Sequence, residues 1–253
     1  MTTINSVREF YNKDINHQRY CDAIDKVGLW NSERIIFEKY VKKSDRILDL
    51  GCGTGRTTIN LYKLGYQNII GLDISDKLID SAKSYAQENN LNIDFLVDDA
   101  TDIKHQEKGF DVIFFSFNGI MSIPKKENRE KVLKNAYKLL KPNGIFIFTA
   151  HNRDDSADEY KQFWIDEKIK WDNNLQSKDL YDFGDVIVPD VTGEIMYYHI
   201  PNIKEIEDLA NKYNFKILES TKRSEIAEES IEVKEFSKET VFWVWQKDND
   251  KIV

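Results

Sequence analysis

Apolar positions along the chain recur with two different periods. Five short apolar runs have strand length: Arg46 to Leu50, Asn68 to Leu72, Ile93 to Val97, Asp111 to Phe115 and Ile145 to Ala150. Between them, apolar residues return every three or four positions. Leu78, Ile79, Ala82, Tyr85 and Ala86 form one stripe of a helix over Asp76 to Glu88. Val132, Leu133, Ala136, Leu139 and Leu140 do the same for a helix around Glu127 to Leu140, after which Pro142-Asn143-Gly144 turns the chain into the fifth strand. A further helix starts at Gly55 and stops at Gly65, a C-terminal glycine cap. This alternation with short connections predicts a parallel sheet with helices on both faces. Upstream, Ser6 to Lys43 reads as two or three helices, the last carrying Ile35, Ile36, Tyr40 and Val41 on one stripe.

The rhythm breaks after Ala150. Residues 151–200 hold Phe163, Trp164, Trp171, Tyr181, Phe183, Tyr197 and Tyr198, and read as a helix followed by a hairpin turning near Pro189 to Gly193. A helix over Ile203 to Tyr213 and two strands, Phe215 to Thr221 and Val241 to Gln246, close the chain, with a charged, exposed stretch from Ala227 to Glu239 between those strands. The expected organisation is one domain over 1–253: an N-terminal helical cap (1–44), a core (45–150), an aromatic, acidic insertion (151–200) and a closing helix with strands (201–253).

Candidate chemistry concentrates where the first strand ends. The run ILDLGCGTG, Ile47 to Gly55, passes from an apolar strand through three alternate glycines directly into a helix. Gly51, Gly53 and Gly55 leave bare backbone for a ligand to approach. About twenty residues on, the second strand ends in Asp73, an acceptor placed to hold both hydroxyls of a ribose. A dinucleotide fingerprint wants G-x-G-x-x-G, and here Arg56 stands where the third glycine belongs.

The run GCGTG, preceded by Asp49 and answered by Asp73, instead resembles motif I and the ribose-binding acid of class I S-adenosylmethionine-dependent methyltransferases. The resemblance continues in order through LVDDA (Leu96 to Ala100), FDVIFFSF (Phe110 to Phe117) and LKPNGIFIF (Leu140 to Phe148), and so covers roughly residues 45–150. It implies a doubly wound, Rossmann-like α/β fold with a mostly parallel seven-stranded sheet whose last strand is reversed. It also implies S-adenosyl-L-methionine as cofactor and S-adenosyl-L-homocysteine as product. By the same resemblance, Gly51, Gly53 and Gly55 line the methionyl and ribose portion, Asp49 lies near the methionyl ammonium, Asp73 holds the ribose and Ile74 packs on adenine. Asp99 and the backbone of Ala100 meet the adenine amino edge, and Ser116 with Phe117 flank the methionyl chain. Asp98 stands where many relatives carry glycine, which leaves open which aspartate reaches adenine. Tyr11 and Tyr20 fall where related enzymes cover the cofactor with an N-terminal helix; packing that helix on the domain explains them equally well.

Composition bears on the remaining choices. A hydrophobic fraction of 41% with 32% charged residues is that of a folded globular chain. No membrane-spanning stretch and no signal-peptide core are visible, which sets a cytoplasmic expectation with no membrane partner. Cys21 and Cys52 are too few for a disulfide framework, and no Cys-x-x-Cys pair suggests a metal. Residues 151–199 carry twelve Asp and Glu against five Lys and Arg, a balance of −7 out of −8 for the whole chain. An acidic segment on the substrate side argues against a nucleic-acid partner.

Methyl transfer is a direct displacement at an activated carbon, so alignment of the acceptor is the main requirement. A poorly acidic hydroxyl would gain from a base of near-neutral pKa. Of the four histidines, His17 and His105 read as surface or packing residues. His151, directly after strand five, and His199, closing the insertion, are candidate bases, and turn or capping roles fit them as well. The insertion's acids and rings fit either a cationic acceptor or, by preference, a solvated lid with its own small core. The preferred function is methylation of an oxygen or nitrogen on a small-molecule acceptor. The alternatives are a methyltransferase acting on RNA or protein, a NAD-dependent oxidoreductase and a non-catalytic cofactor-binding protein. The loop Ser116-Phe117-Asn118-Gly119 lacks the double-proline clamp of base-amine methylators.

Overall fold

A computed structural model describes residues 2–104, 108–155, 158–189 and 193–248; His105 and the tip of the insertion hairpin lie outside them. Its strands are β1 (Ile47–Leu50), β2 (Ile69–Asp73), β3 (Asp94–Val97), β4 (Phe110–Phe115), β5 (Leu140–Ala150), β6 (Asp185–Pro189), β7 (Ile195–His199), β8 (Phe215–Lys222) and β9 (Val241–Lys247). Seven of these form one sheet in the order β3-β2-β1-β4-β5-β9-β8, and β6 pairs with β7 separately. Pairings among β1 to β5 are parallel, whereas β9 runs antiparallel to both β5 and β8. The fold is thus the mostly parallel, doubly wound α/β sheet with one reversed strand that the sequence led us to expect.

The helices are α1 (Ile4–Asn12), α2 (Asp14–Lys26), α3 (Asn31–Tyr40), α4 (Arg56–Lys63), α5 (Asp76–Glu88), α6 (Lys126–Leu139), α7 (Asp158–Asp172), α8 (Ile203–Lys212), α9 (Arg223–Ile226) and α10 (Ile231–Phe236). Strand alternation sorts the core into layers. Leu48, Leu50, Ile113, Phe146 and Phe148 pack with Val132 and Leu133 of α6 and Ile206 and Leu209 of α8. Ile47, Val112, Phe114 and Ile147 pack with Ile36 and Phe37 of α3 and Leu61 of α4. On α5, Ile79, Ala82 and Ala86 close over Phe95. Each such side chain contributes about 1.5–3 kcal/mol by leaving water. Among the described residues no helix is long and apolar enough to cross a membrane.

Two stretches depart from expectation. The Pro142-Asn143-Gly144 turn lies inside β5, which begins at Leu140 opposite Phe110; Asn143 adopts φ 61° and the ladder shifts register between Phe110 and Val112. The second is Ala227 to Glu239, expected to be exposed. It folds as α10, buries Val233, and turns the Glu229 carboxylate onto the start of α3. There Glu229 accepts the N–H groups of Asn31 (2.9 Å) and Ser32 (2.8 Å). Trp30, at the helix start, has no side-chain acceptor to offer, so a carboxylate from far along the chain supplies one.

The insertion forms α7 and the β6–β7 hairpin. Phe183 lies 6.0 Å from Trp164 and 6.3 Å from Trp171 between ring centroids, and the Arg153 guanidinium stands 4.8 Å from the Phe183 centroid. These half-buried rings therefore pack on one another edge to face. The hairpin packs on α1 and on the 3-10 turn Gly119–Ser122 that follows β4.

Candidate cofactor and acceptor site

The carboxyl ends of β1, β2, β3 and β4 converge where the strand order reverses, the place at which open α/β sheets bind ligands. Gly51, Gly53, Asp73, Ile74, Asp99, Ala100, Ser116 and Phe117 all line one cleft of about 100 Å³ there. Tyr11 of α1 and Tyr20 of α2 cover it, their rings 5.7 Å apart in an edge contact. Eight residues from strand ends and two from the cap are therefore gathered in one place.

The glycine loop is held by packing and by Asp73. Gly51 has φ 73°, and a Cβ there would come within 2.5 Å of the Phe115 ring, so no larger residue fits without moving that ring. The next glycine, Gly53, donates its N–H to Asp73 Oδ2 (2.8 Å), and Ser75 N–H donates to Oδ1 (2.8 Å). Burial raises the Asp73 carboxyl above its ordinary pKa, against the backbone donors that lower it. Gly55 does not line the cleft; it begins α4 and lies against Phe95.

Asp49 also lies outside the cleft lining, buried under the loop. Thr57 and Thr58 hydroxyls donate to its Oδ2 at 2.5 and 2.6 Å. Its Oδ1 is buried with no hydrogen-bond partner. Burial pushes the carboxyl up to about 6, the two threonines and Arg56 working the other way. Thr57 Oγ1 is also 3.5 Å from Ser116 Oγ, which links this carboxylate to the cleft wall.

Past β3, Asp98 folds both oxygens onto its own loop, accepting from Asp99 N–H and Lys104 N–H at 2.8 Å each. Asp99 gives Oδ1 to Thr101 N–H (2.7 Å). Of the two aspartates, Asp99 is the one with an oxygen not folded back on the loop.

Past β4, Phe117 (φ 48°) stacks on Phe236 of α10 at 4.6 Å and 26°. Asn118 anchors the turn, taking the Thr240 hydroxyl (2.6 Å) and donating its N–H to Thr149 (2.8 Å). Sequence reasoning missed Phe236 because it sits in a segment whose charge signalled exposure. It missed Ile4, Val7, Ser122 and Ile123, which also line the cleft, because no local pattern marks them. Stacked ring pairs contribute about 0.5–1.5 kcal/mol beyond burial, so Phe236→Ala is expected to weaken S-adenosylhomocysteine binding roughly two- to tenfold by calorimetry.

The two histidines proposed as bases do not face this cleft. His151 directs Nδ1 at the Glu239 carbonyl (2.6 Å), beside the start of β9, and burial lowers its pKa. His199, almost fully buried, lies between Asp185 Oδ1 and Glu205 Oε1, each 2.7 Å from a ring nitrogen. Both ring nitrogens are thus taken up by carboxylates, and neither is turned to the cleft to meet an acceptor. Here the ring fastens the β6–β7 hairpin to α8. It lines a separate, larger hollow of about 380 Å³ with Arg129, Arg153 and Asp182. In that hollow Arg129 is paired with Asp182, Lys204 with Asp208 and Lys212 with Glu130. Asp182, Asp185 and His199 bring ligand-type atoms within 4.8 Å, but hydrogen bonds to Arg129, Tyr197 and Glu205 already engage them.

Residues 41–200 match the methyltransferase domain family. A demethylmenaquinone methyltransferase from Lactobacillus johnsonii is 33% identical over 144 residues, 54% of this chain and 57% of that protein. The ubiquinone biosynthesis O-methyltransferase of Coxiella burnetii is 29% identical over 156 residues, 62% of this chain and 63% of its own. The chain therefore spans less than two thirds of these relatives' length. Among solved structures, a SAM-dependent methyltransferase from Methanosarcina mazei superposes with a TM-score of 0.67 at 20% identity, covering 87% of this chain and 99% of that one, a likeness of fold. With the family matched over 41–200 and its sheet order in place, the chain belongs to the methyltransferase domain family, of the class I S-adenosylmethionine-dependent type.

Proposed function

We propose that this protein transfers a methyl group from S-adenosylmethionine to an oxygen or nitrogen of a small-molecule acceptor. The observation that carries this reading is the single cleft at the switch point, where a bare glycine loop, Asp73 and Asp99 arrive from three successive strand ends. The residues fit the cofactor. Asp73 offers its remaining lone pairs to the ribose, and Ile74 an apolar face to adenine. Asp99 accepts from the adenine amino group through the oxygen its loop does not use. Asp49 fits the methionyl ammonium, because its buried Oδ1 is an acceptor awaiting a donor. When bound, the cofactor supplies a sulfonium methyl whose leaving group is already activated. The chain's own part is to exclude water with Tyr11, Tyr20 and Phe117 and to hold the acceptor in line. The relatives' names, both enzymes of quinone biosynthesis, support a small-molecule acceptor.

Calorimetric titration with S-adenosylmethionine, S-adenosylhomocysteine and NADH tests the reading. Micromolar binding of the first two, and none of the third, is expected; binding of NADH alone overturns it. The Asp49 carboxyl gives a pH signature. A partner ammonium favours the ionised carboxylate, so affinity is full above about pH 6 and falls as pH drops through that value. Below it the loss approaches about tenfold per pH unit. In Asp49→Asn that dependence disappears; its persistence would place the titrating group elsewhere.

A further inference from the structure

We infer that the methyl acceptor is an amine that reacts through its neutral nitrogen and carries no carboxylate or phosphate. This rests on the reading of the cleft as the site of methyl transfer. Away from the glycine loop and the aspartates, the wall includes Ile4, Val7, Tyr11, Tyr20, Ser122 and Ile123. Among the described residues lining the cleft there is no Lys, Arg or His. Its charged members are Asp73, Asp98 and Asp99, all carboxylates. An anionic acceptor would lose its hydration there and find no cationic side chain to replace it.

Cations on the surrounding elements are committed elsewhere. Lys77 pairs with Asp14 and Arg8 with Asp76. Arg19 lies 4.5 Å over the Phe236 ring and donates to the Phe236 carbonyl at 3.1 Å. None of them offers an anionic acceptor a ready partner.

Among the described residues the wall also holds no histidine, and its carboxylates are engaged elsewhere. Its hydroxyls are those of Tyr11, Tyr20, Thr101, Ser116 and Ser122. The Ser122 hydroxyl donates to the Gly119 carbonyl at 2.8 Å. Burial raises the Tyr11 hydroxyl well above its usual pKa, so it stays protonated at neutral pH. The carboxylates Asp73 and Asp98 have both oxygens held by backbone N–H groups, and the one Asp99 oxygen its loop does not use is the one that meets the adenine amino group in the proposed complex. A nucleophile in this cleft must bring its own lone pair, as a neutral amine does and an un-ionised hydroxyl does poorly.

The step balances without further reagents. The amine lone pair forms the N–C bond as the S–CH₃ bond breaks, and that bond's electrons stay on sulfur, which leaves as a neutral thioether. The nitrogen, now positive, sheds one proton to water. The hydroxyls and rings of Tyr11, Tyr20 and Phe117 suit the positive charge as it passes from sulfur to nitrogen.

The experiment uses the full chain with S-adenosylmethionine and matched probes: aniline, phenethylamine and a panel of primary and secondary amines, against phenol, phenylpropionate and phenyl phosphate. S-adenosylhomocysteine formation and product mass are followed across pH. Turnover is expected with amines only. The inflection in kcat/KM should move with the amine's own pKa, with a fall of about tenfold per pH unit below it. Three results overturn the inference: methylation of phenol, phenylpropionate or phenyl phosphate, an inflection fixed whatever the amine, or no turnover of any amine by a protein that binds S-adenosylhomocysteine. Failure to bind S-adenosylhomocysteine in parallel calorimetry would instead sink the methyltransferase reading itself.

Discussion

Asp73→Ala lowers affinity for S-adenosylhomocysteine by more than about a hundredfold in calorimetric titration, while the protein still melts cooperatively. In the proposed complex this carboxylate accepts from two ribose hydroxyls, and hydrogen bonds to a charged group contribute about 1.5–3 kcal/mol each. Losing both costs about 3–6 kcal/mol, two to four powers of ten in dissociation constant. Two further effects act in the same direction. The substitution strips the acceptor from Gly53 N–H and Ser75 N–H, so the glycine loop loses its tie to the end of β2. Asp73→Asn separates these contributions, since the amide oxygen keeps one backbone bond. An intermediate loss for Asn would assign part of the effect to loop support, and unchanged affinity in either variant would remove Asp73 from the site.

Breaking the pair between Glu33 and Arg56 destabilises the fold by about 3–5 kcal/mol, because one charge is then left buried without its counterpart. Arg56 reaches from the first turn of α4 to Glu33 of α3, with two nitrogen–oxygen contacts of 2.7 and 2.8 Å, and the Glu33 side chain has no exposure. Arg56 also donates to the Gly28 carbonyl (2.7 Å), and Glu33 accepts the Trp30 N–H (2.9 Å), so the pair fastens the segment before α3 to the start of α4. Glu33→Gln and Arg56→Met should each lower the melting midpoint by roughly 6–20 °C for a chain of this size. The double replacement Glu33→Leu with Arg56→Met removes both charges together and is expected to recover most of that loss. If the single variants melted like the parent, the pair would be a spectator.

Arg56 also shows how far local sequence reaches. Its presence at the third position of a would-be dinucleotide fingerprint could be seen in the chain, and it excluded that cofactor class. Its occupation, a buried pair with a residue of another helix, could not be seen. The glycines and Asp73 were legible for a different reason: a backbone that must approach a ligand closely and an acid at a strand tip are requirements on single positions. His199 misled for the converse reason. Its place before Pro201 is compatible with a base, yet Asp185 and Glu205, fourteen and six residues away, claim both nitrogens. Phe236 went unseen because the charges around it describe one side of α10, while its stacking on Phe117 belongs to the other.

The sequence by itself determined the order of strands and helices and the parallel sheet, since apolar period follows from short-range geometry, and its resemblance to a known family implied the cofactor class. Only the tertiary structure decided which residues share a cavity. Asp49 and Gly55, neighbours of Gly51 and Gly53, do not line the cleft, while Ile4, Val7 and Ser122 do. Those placements depend on how α1, α2 and α10 dock against the ends of β1 and β4. Docking is set by contacts between residues far apart in sequence, which no periodicity encodes.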